Sequence, residues 1–427
     1  MNTKELINAI GTGKADEMMI SLYGRDNIEN QKERYIKAVN EFEAEFGSER
    51  EVHAFSVAGR TEISGNHTDH NCGRVIAASL NLDIIAVAAK RDDGIISVKS
   101  EGFSLDTVDF SEYSTPDKKK YGTSESIIAG MCAGFLKDGY KLGGFDAYAT
   151  SDVLKGSGMS SSAAFEDMIG NILNYLYNDG GIDNFEVAKM AQYAENEFFG
   201  KPSGLMDQVA CAVGGIVGID FGNPDKPVIE KIDFDIAKEG YNLCIVNTGG
   251  SHADLTDEYA AVPSEMKAVA EKFGGRALRD VMENDVIAAI PTLRGELSDR
   301  AIMRALHFFE ENKRVDAETE ALKKSDIDAF FANVLESGRS SFCYLQNVYS
   351  NKNPGEQGLS LALCLTEKYL KGKKAAFRVH GGGFAGTIQA FVPNDCAEGY
   401  RRYIDSAFGE GACLILRIRP RGAVQVI

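Results

Sequence analysis

The amino-acid sequence predicts an α+β protein built as two domains. Three observations carry that prediction: a length beyond one core, apolar periodicity that switches between helical and strand spacing, and glycine-rich segments at the junctions. The chain has 427 residues, whereas a single hydrophobic core stops growing at roughly 250–300 residues. Helical and strand-like stretches interleave without a regular strand–helix beat. That texture favours two α+β layers over a doubly wound parallel sheet. With 44% hydrophobic and 26% charged residues, the composition excludes a mainly disordered or fibrous chain.

Residues 1 to about 50 read as a helical lead-in. Tyr35, Ile36, Val39, Phe42 and Phe46 recur at helical spacing, and Gly47 stands where a C-cap glycine belongs. From Val52 to Lys99 the pattern is strand-like, with Ile84–Val87 and Ile95–Val98 flanking the turn-prone Asp92-Asp93-Gly94. A helix is predicted over 163–177, with Phe165, Met168, Ile169, Ile172, Leu173 and Leu176 on one face. A second runs from about 185 to 199 and ends at Gly200. The glycine-rich stretch 213–222 is the expected exit from the first domain, so the division falls at 1–225 and 226–427. In the second half, strands are expected at 242–247, 375–379, 387–392 and 414–418, and helices at 301–311 and 359–370.

Charge narrows the function classes. Lys and Arg total 46 against 63 Asp and Glu, a formal net charge of −17. A field of that sign repels nucleic acid and anionic membrane surfaces, so an anionic ligand needs local help from amides, a metal or placed cations. No apolar stretch approaches the ~20 residues that span a bilayer, and the N-terminus has no apolar signal core. The eight cysteines form no Cys-x-x-Cys pair and do not cluster with histidine, which suits reduced thiols. A cytoplasmic protein, monomeric or weakly homo-oligomeric, is expected, with no nucleic-acid or membrane partner.

Four segments carry chemistry. The first, Lys155-Gly156-Ser157-Gly158-Met159-Ser160-Ser161-Ser162-Ala163-Ala164, opens directly into a helix. Free amides and the helix dipole there favour an anion, although the fragment alone also fits a serine-capped helix after a turn. It is neither a Walker loop nor Gly-x-Gly-x-x-Gly. The second, 380–387, is His-Gly-Gly-Gly-Phe-Ala-Gly-Thr, taken alone as much a hairpin as a ligand loop. The third, 59–70, packs Arg60, Glu62, Asn66, His67, Asp69 and His70 into eleven positions, a set able to grip sugar hydroxyls or to stand as a solvated loop. The fourth, 194–208, ends a helix and presents Asp207 on a turn made by Pro202 and Gly204, where an aspartate is commonly a cap.

Together these four segments resemble the galactokinase branch of the GHMP small-molecule kinases. The family signatures run close to Gly-Arg-x-Asn-x-Ile-Gly-Glu-His-Thr-Asp-Tyr, then Gly-x-Gly-Leu-Ser-Ser-Ser-Ala, Pro-x-Gly-x-Met-Asp-Gln and Gly-Gly-Gly-Phe-Gly-Gly. All four occur here in that order, and the closing Arg419-Pro420-Arg421-Gly422-Ala423 looks like a galactokinase ending. The resemblance implies an N-terminal domain like the second domain of ribosomal protein S5, a ferredoxin-like C-terminal domain and a cleft site between them. It implies an ATP-dependent sugar 1-kinase using Mg²⁺. Asp207 matches the catalytic aspartate, placed against the sugar's C1 hydroxyl, and Arg60 the arginine beside it. Asn66, His67, Asp69 and Gly204 match sugar-binding positions, and Tyr259 matches a sugar-contacting tyrosine. The loop from Lys155 through Ser162 to Ala163 would hold the nucleotide phosphates. Glu195 matches the metal-binding glutamate, with one of Ser160–Ser162, taken as Ser161, as second ligand; two protein oxygens suit Mg²⁺.

The departures concentrate on the sugar side. Asn66 stands where the family has glutamate, Glu62 where it has asparagine, and His70 where it has tyrosine. Ala58, Thr61 and Ser64 also depart from the pattern, the glycine loop reads Gly-Phe-Ala-Gly, and Arg60 lies later than usual, implying an N-terminal extension. The substrate expectation is therefore galactose, with two alternatives. One is a C6- or C2-modified sugar such as galacturonate or N-acetylgalactosamine. The other is a non-catalytic sugar sensor. At Asn66, an amide in place of a carboxylate predicts either a weaker hold on galactose or tolerance of a C6 carboxylate.

Overall fold

The computed structural model of the chain describes residues 1–48, 50–112, 115–153, 158–201, 203–224, 226–250 and 255–427. Among these, the first sheet has eight strands: β1 (His53–Ser64), β2 (Arg74–Lys90), β3 (Ile95–Ser100), β4 (Leu105–Asp109), β5 (Phe145–Ser151), β6 (Ile216–Asp220), β7 (Val228–Ile232) and a last short one from the C-terminus. The second sheet has four, β8 (Tyr241–Asn247), β9 (Ala376–His380), β10 (Thr387–Pro393) and β11 (Cys413–Leu416). The C-terminal strand, β12 (Val424–Gln425), returns to pair with β1 at Phe55 and Ser56.

Strand β2 organises the first sheet. It is buried along most of its 17 residues, as a strand covered on both faces must be. Ile84, Ala86 and Ala88 face one core with the helices Ser124–Lys137 and Ser161–Tyr177. The alternate residues Ile85, Val87 and Ala89 face a second core, closed by Leu6, Ile10, Tyr35, Val39 and Phe42 of the N-terminal helices. The predicted lead-in is thus the lid of one sheet face, and its helix Ile28–Phe46 stops at Gly47 with φ 89°. The strands flanking Asp92-Asp93-Gly94 form but do not pair: β5 lies between them, antiparallel to β2 and parallel to β3. Burial decides this, because β5 carries Ala147 and Ala149 into the core.

The second sheet runs β11-β8-β10-β9, antiparallel at every pair. In chain order that is 4-1-3-2, with the helices Gly358–Leu370 and Ala397–Phe408 packed on one face, the split β-α-β arrangement of a ferredoxin-like unit. Between β8 and its crossover helix the chain inserts helices Thr256–Glu271, Glu283–Leu293, Asp299–Lys323 and Ile327–Ser340. The helix expected at 301–311 is one part of the 25-residue helix Asp299–Lys323. Phe330, Phe331 and Val334 of the last inserted helix share the first core with Leu243, Ile245 and Phe391, so the two sheets are joined through one apolar body. The division expected at 225/226 separates β6 from β7, which pair with each other, and β12 rejoins the first sheet. Among the described residues no helix is long and apolar enough to cross a membrane.

Candidate active site

The pairing of β1 with β2 shifts register twice, with extra residues on β2 between Ala58 and Arg60 and an extra residue on β1 between Glu62 and Ser64, and the site begins there. A bulge bends a strand and re-aims the side chains around it. Gln389 of β10 holds the second one by donating to the carbonyls of Glu62 at 2.8 Å and Ile63 at 3.0 Å. Arg60 is buried, and its Nε donates to Asp207 Oδ1 at 2.8 Å. A further N–H of the same guanidinium donates to the carbonyl of Gly158. Asp207 lies in the first turn of the helix Met206–Val213, not on a free turn, where the helix dipole favours a carboxylate. Its other oxygen accepts from Ser160 Oγ. Burial alone would raise the Asp207 carboxyl. The Arg60 charge and hydrogen bond, then the bond from Ser160, hold it below the ordinary carboxylate range.

A cavity of about 230 Å³ opens beside this pair. Its walls include Arg60, Glu62, Asn66, His67, Asp69, His70, Lys201, Gly204 and Asp207. Six of the predicted residues therefore meet: Arg60, Asp207, Asn66, His67, Asp69 and Gly204. Gly204 lies close against Asp69: a Cβ there would stand 2.7 Å from Asp69 Oδ2 and displace that carboxylate. His67 donates Nε2–H to the Gly382 carbonyl at 2.8 Å, and burial holds its ring at about 4, hence neutral at pH 7.

Asn66 meets the cavity differently from its sequence expectation. Its side chain is fully buried, donating to Glu62 Oε1 at 2.9 Å and to the Gly381 carbonyl at 2.7 Å. Its Oδ1 accepts from Asn347 at 2.7 Å and Ser341 at 3.2 Å. Every hydrogen-bonding position of the amide is engaged inward. Glu62, which has no counterpart carboxylate in the family signature, adds its carboxyl to this wall beside Asp69 and Asp207. Tyr259 stands outside the cavity's described lining. Its hydroxyl donates to the Gly383 carbonyl at 2.6 Å, and its ring packs edge-on against Phe384.

The loop that carries Gly65 and Asn66 is gripped from the inserted helix Asp299–Lys323. Buried Glu311 accepts from the amides of Gly65 at 3.1 Å and Asn66 at 3.4 Å. His307 donates Nε2–H to the Asn66 carbonyl at 3.0 Å. No motif announced either residue, because each lies more than 240 positions from its partner in the chain.

A larger cavity, of about 580 Å³, lies beyond the smaller one. Ser161, Ser162, Glu166 and Glu195 line one end, and Phe103, Ile127, Phe165 and Phe199 give it apolar walls. The helix predicted over 185–199 is α-helical only through Tyr193. Glu195 then sits in a π-helical turn, Ala194–Phe199, a local widening common at functional sites. Glu195 is 3% exposed; Oε1 binds Lys201 Nζ at 2.6 Å and Oε2 accepts from Gln208 at 2.9 Å. Gln208 also donates to Glu166 at 3.0 Å, whose other oxygen is buried without a hydrogen-bond partner. Burial, then the nearby Glu195, pushes Glu166 up to about 8. Ser160 is engaged with Asp207, so of the three serines Ser161 and Ser162 face Glu195's cavity. Met159 and Ala163 are buried beneath the loop. Of the predicted phosphate residues, Lys155, Gly156 and Ser157 lie outside the described residues.

Oxygen donors dominate this end, as a hard divalent cation requires. Among the described residues no cluster of three or more His, Cys, Asp or Glu side chains forms a self-sufficient metal cage. A carboxylate plus a hydroxyl fits a cation that takes its other ligands from phosphate and water.

Residues 126–215 match the family described as GHMP kinases N terminal domain, and residues 40–90 match the galactokinase galactose-binding signature. The galactokinase of Glaesserella parasuis is 33% identical, over 85% of this chain and 91% of that protein. That of Streptomyces coelicolor is 30% identical, over 85% and 90%. The crystal structure of Lactococcus lactis galactokinase complexed with galactose superposes with a TM-score of 0.75, at 22% identity, covering 90% of this chain and 98% of that one. A mevalonate kinase structure superposes at 0.61, with 86% and 98% coverage.

Proposed function

Because the chain belongs to the galactokinase family of GHMP kinases, we propose that it transfers the γ-phosphoryl group of ATP to the C1 hydroxyl of galactose. The observation that carries this reading is the placement of the Arg60–Asp207 pair. Asp207 lines the small polar cavity and is hydrogen-bonded to Ser160, next to the serines of the larger cavity. The sugar occupies the small cavity and the nucleotide the larger one. Glu195 and Ser161 would hold Mg²⁺, which neutralises phosphate charge when bound.

Phosphoryl transfer passes through a loose transition state, so positioning and charge supply most of the catalysis. Asp207, ionised and held by Arg60, accepts the hydrogen bond of the C1 hydroxyl and fixes its lone pair toward the phosphate. A carboxylate with a lowered pKa is a weak base. That suffices where the hydroxyl proton leaves late, since general-base action contributes at most roughly 10²–10⁴-fold. Arg60 also places its positive charge at the junction of loop and sugar, offsetting the acidic bulk surface.

The small cavity favours a neutral sugar. Asp69 lines it, and an anionic C6 group set against that carboxylate would meet like charge in a partly desolvated site, away from Arg60, which Asp207 already engages. The amide expected to welcome such a group, Asn66, is engaged elsewhere. The test is ADP release measured over galactose, galacturonate, N-acetylgalactosamine and glucose. Galactose is expected to give the highest kcat/KM. A preference for galacturonate would overturn the substrate assignment, and no turnover with any sugar would overturn the kinase reading.

A further inference from the structure

Lys201 belongs to none of the four motif roles, yet it joins the two cavities. It follows Gly200, the residue that ends the π-helical turn at φ 81°; a Cβ there would collide with the Tyr121 ring at 2.0 Å. That fixed corner sends the lysine side chain back along the turn, and its backbone N–H bonds the Glu195 carbonyl at 3.1 Å. Its stem lines the small cavity with Arg60 and Asp207, and its ammonium rests on Glu195 Oε1 at 2.6 Å. Glu195 itself faces the larger cavity.

The two carboxylate oxygens of Glu195 are therefore both engaged, one by Lys201 and one by Gln208. A divalent cation arriving alone would have to displace an ammonium from a buried carboxylate. The ammonium has a way out into solvent, since 59% of the lysine side chain is exposed. Removing it without a new partner for its charge is the unfavourable part. Nucleotide phosphates, lying between the two cavities, would supply that partner.

We propose that Lys201 is the resident counter-cation of Glu195, which excludes free divalent metal and exchanges places with it only when a nucleotide arrives. Resting on the reading of Glu195 as a metal ligand, the proposal makes metal uptake conditional on nucleotide. By reciprocity, metal and nucleotide must strengthen each other's binding by the same factor. After the exchange, the freed ammonium lies beside Asp207 and Arg60, on the sugar side of the transferring phosphate.

The experiment is Mn²⁺ binding followed by loss of the free-ion paramagnetic signal, with and without ADP, on the full chain. Wild type is expected to take up Mn²⁺ weakly alone and more tightly with ADP. Lys201→Met and Lys201→Gln, each checked for an unaltered melting transition, should bind Mn²⁺ alone about tenfold tighter, the scale of one charge-assisted hydrogen bond. In these variants the gain from ADP should shrink. Lys201→Arg keeps the cation and should stay as selective as wild type. Equal Mn²⁺ affinity in wild type and both neutral variants would overturn the role of Lys201. A Glu195→Gln protein that still takes up Mn²⁺ with ADP as wild type does would overturn the premise that Glu195 is the ligand. Neither readout depends on which sugar the enzyme uses.

Discussion

Asn66 and Glu62, four residues apart at a bulged strand end, are hydrogen-bonded to each other at 2.9 Å. Against the galactokinase signature the two residue types are exchanged, with glutamate standing at 62 and asparagine at 66. The contact makes the two departures one: an amide and a carboxylate still face each other, in reversed order. Replacing Asn66 by glutamate would set two carboxylates in contact and aim one at the Gly381 carbonyl. Asn66→Glu is expected to destabilise the protein by about 2–4 kcal/mol, the cost of unpaired buried charge. The exchanged double variant Glu62→Asn/Asn66→Glu should recover more than half of it, read as non-additivity in urea unfolding. Additive losses would mean that the pair is not coupled.

Asp207→Asn should retain the fold and lose turnover. The amide oxygen can still accept from Arg60, so stability falls by only about 1–3 kcal/mol for a lost charge-assisted bond. The expected drop in kcat is roughly 10²–10⁴-fold, measured by coupled ADP release beside a melting curve. A variant retaining more than a tenth of wild-type kcat would remove Asp207 from the catalytic role.

Gly204→Ala separates sugar from nucleotide binding. The added methyl meets Asp69 Oδ2 at 2.7 Å and must push that carboxylate within the small cavity. KM for galactose is expected to rise about tenfold, one displaced hydrogen bond, with KM for ATP little changed. Equal increases in both constants would point to a general disturbance of the fold.

Acid should weaken the protein through His307. Burial lowers this histidine from its ordinary 6.5 to about 4, so it stays neutral when folded and gains a proton on unfolding. Between these values the unfolded chain binds more protons. Stability is therefore complete above pH 6.5, falls as pH drops toward 4, and levels off below. The loss from this group is about 3 kcal/mol. His307→Gln should flatten the slope of unfolding free energy between pH 6.5 and 4. An unchanged slope would show that other groups set it.

Elements whose information is local were legible along the chain. Helical spacing with Gly47 and Gly200 as stops placed the lead-in helix and the end of the Glu195 turn. The apolar face over 163–177 placed the helix that in fact starts at Ser161, and the short polar motif brought Arg60, His67 and Asp69 to one wall. Tertiary structure decided what those residues touch. It turned Asn66 inward, tied Tyr259 to Gly383 and Ser160 to Asp207, slid β5 between β2 and β3, and set Lys201 on Glu195. Periodicity records which face of an element is buried, but it carries no record of the distant groups that complete a hydrogen bond. Glu311 and His307 hold the loop of Gly65 and Asn66 from more than 240 residues away, and only the folded chain brings them there.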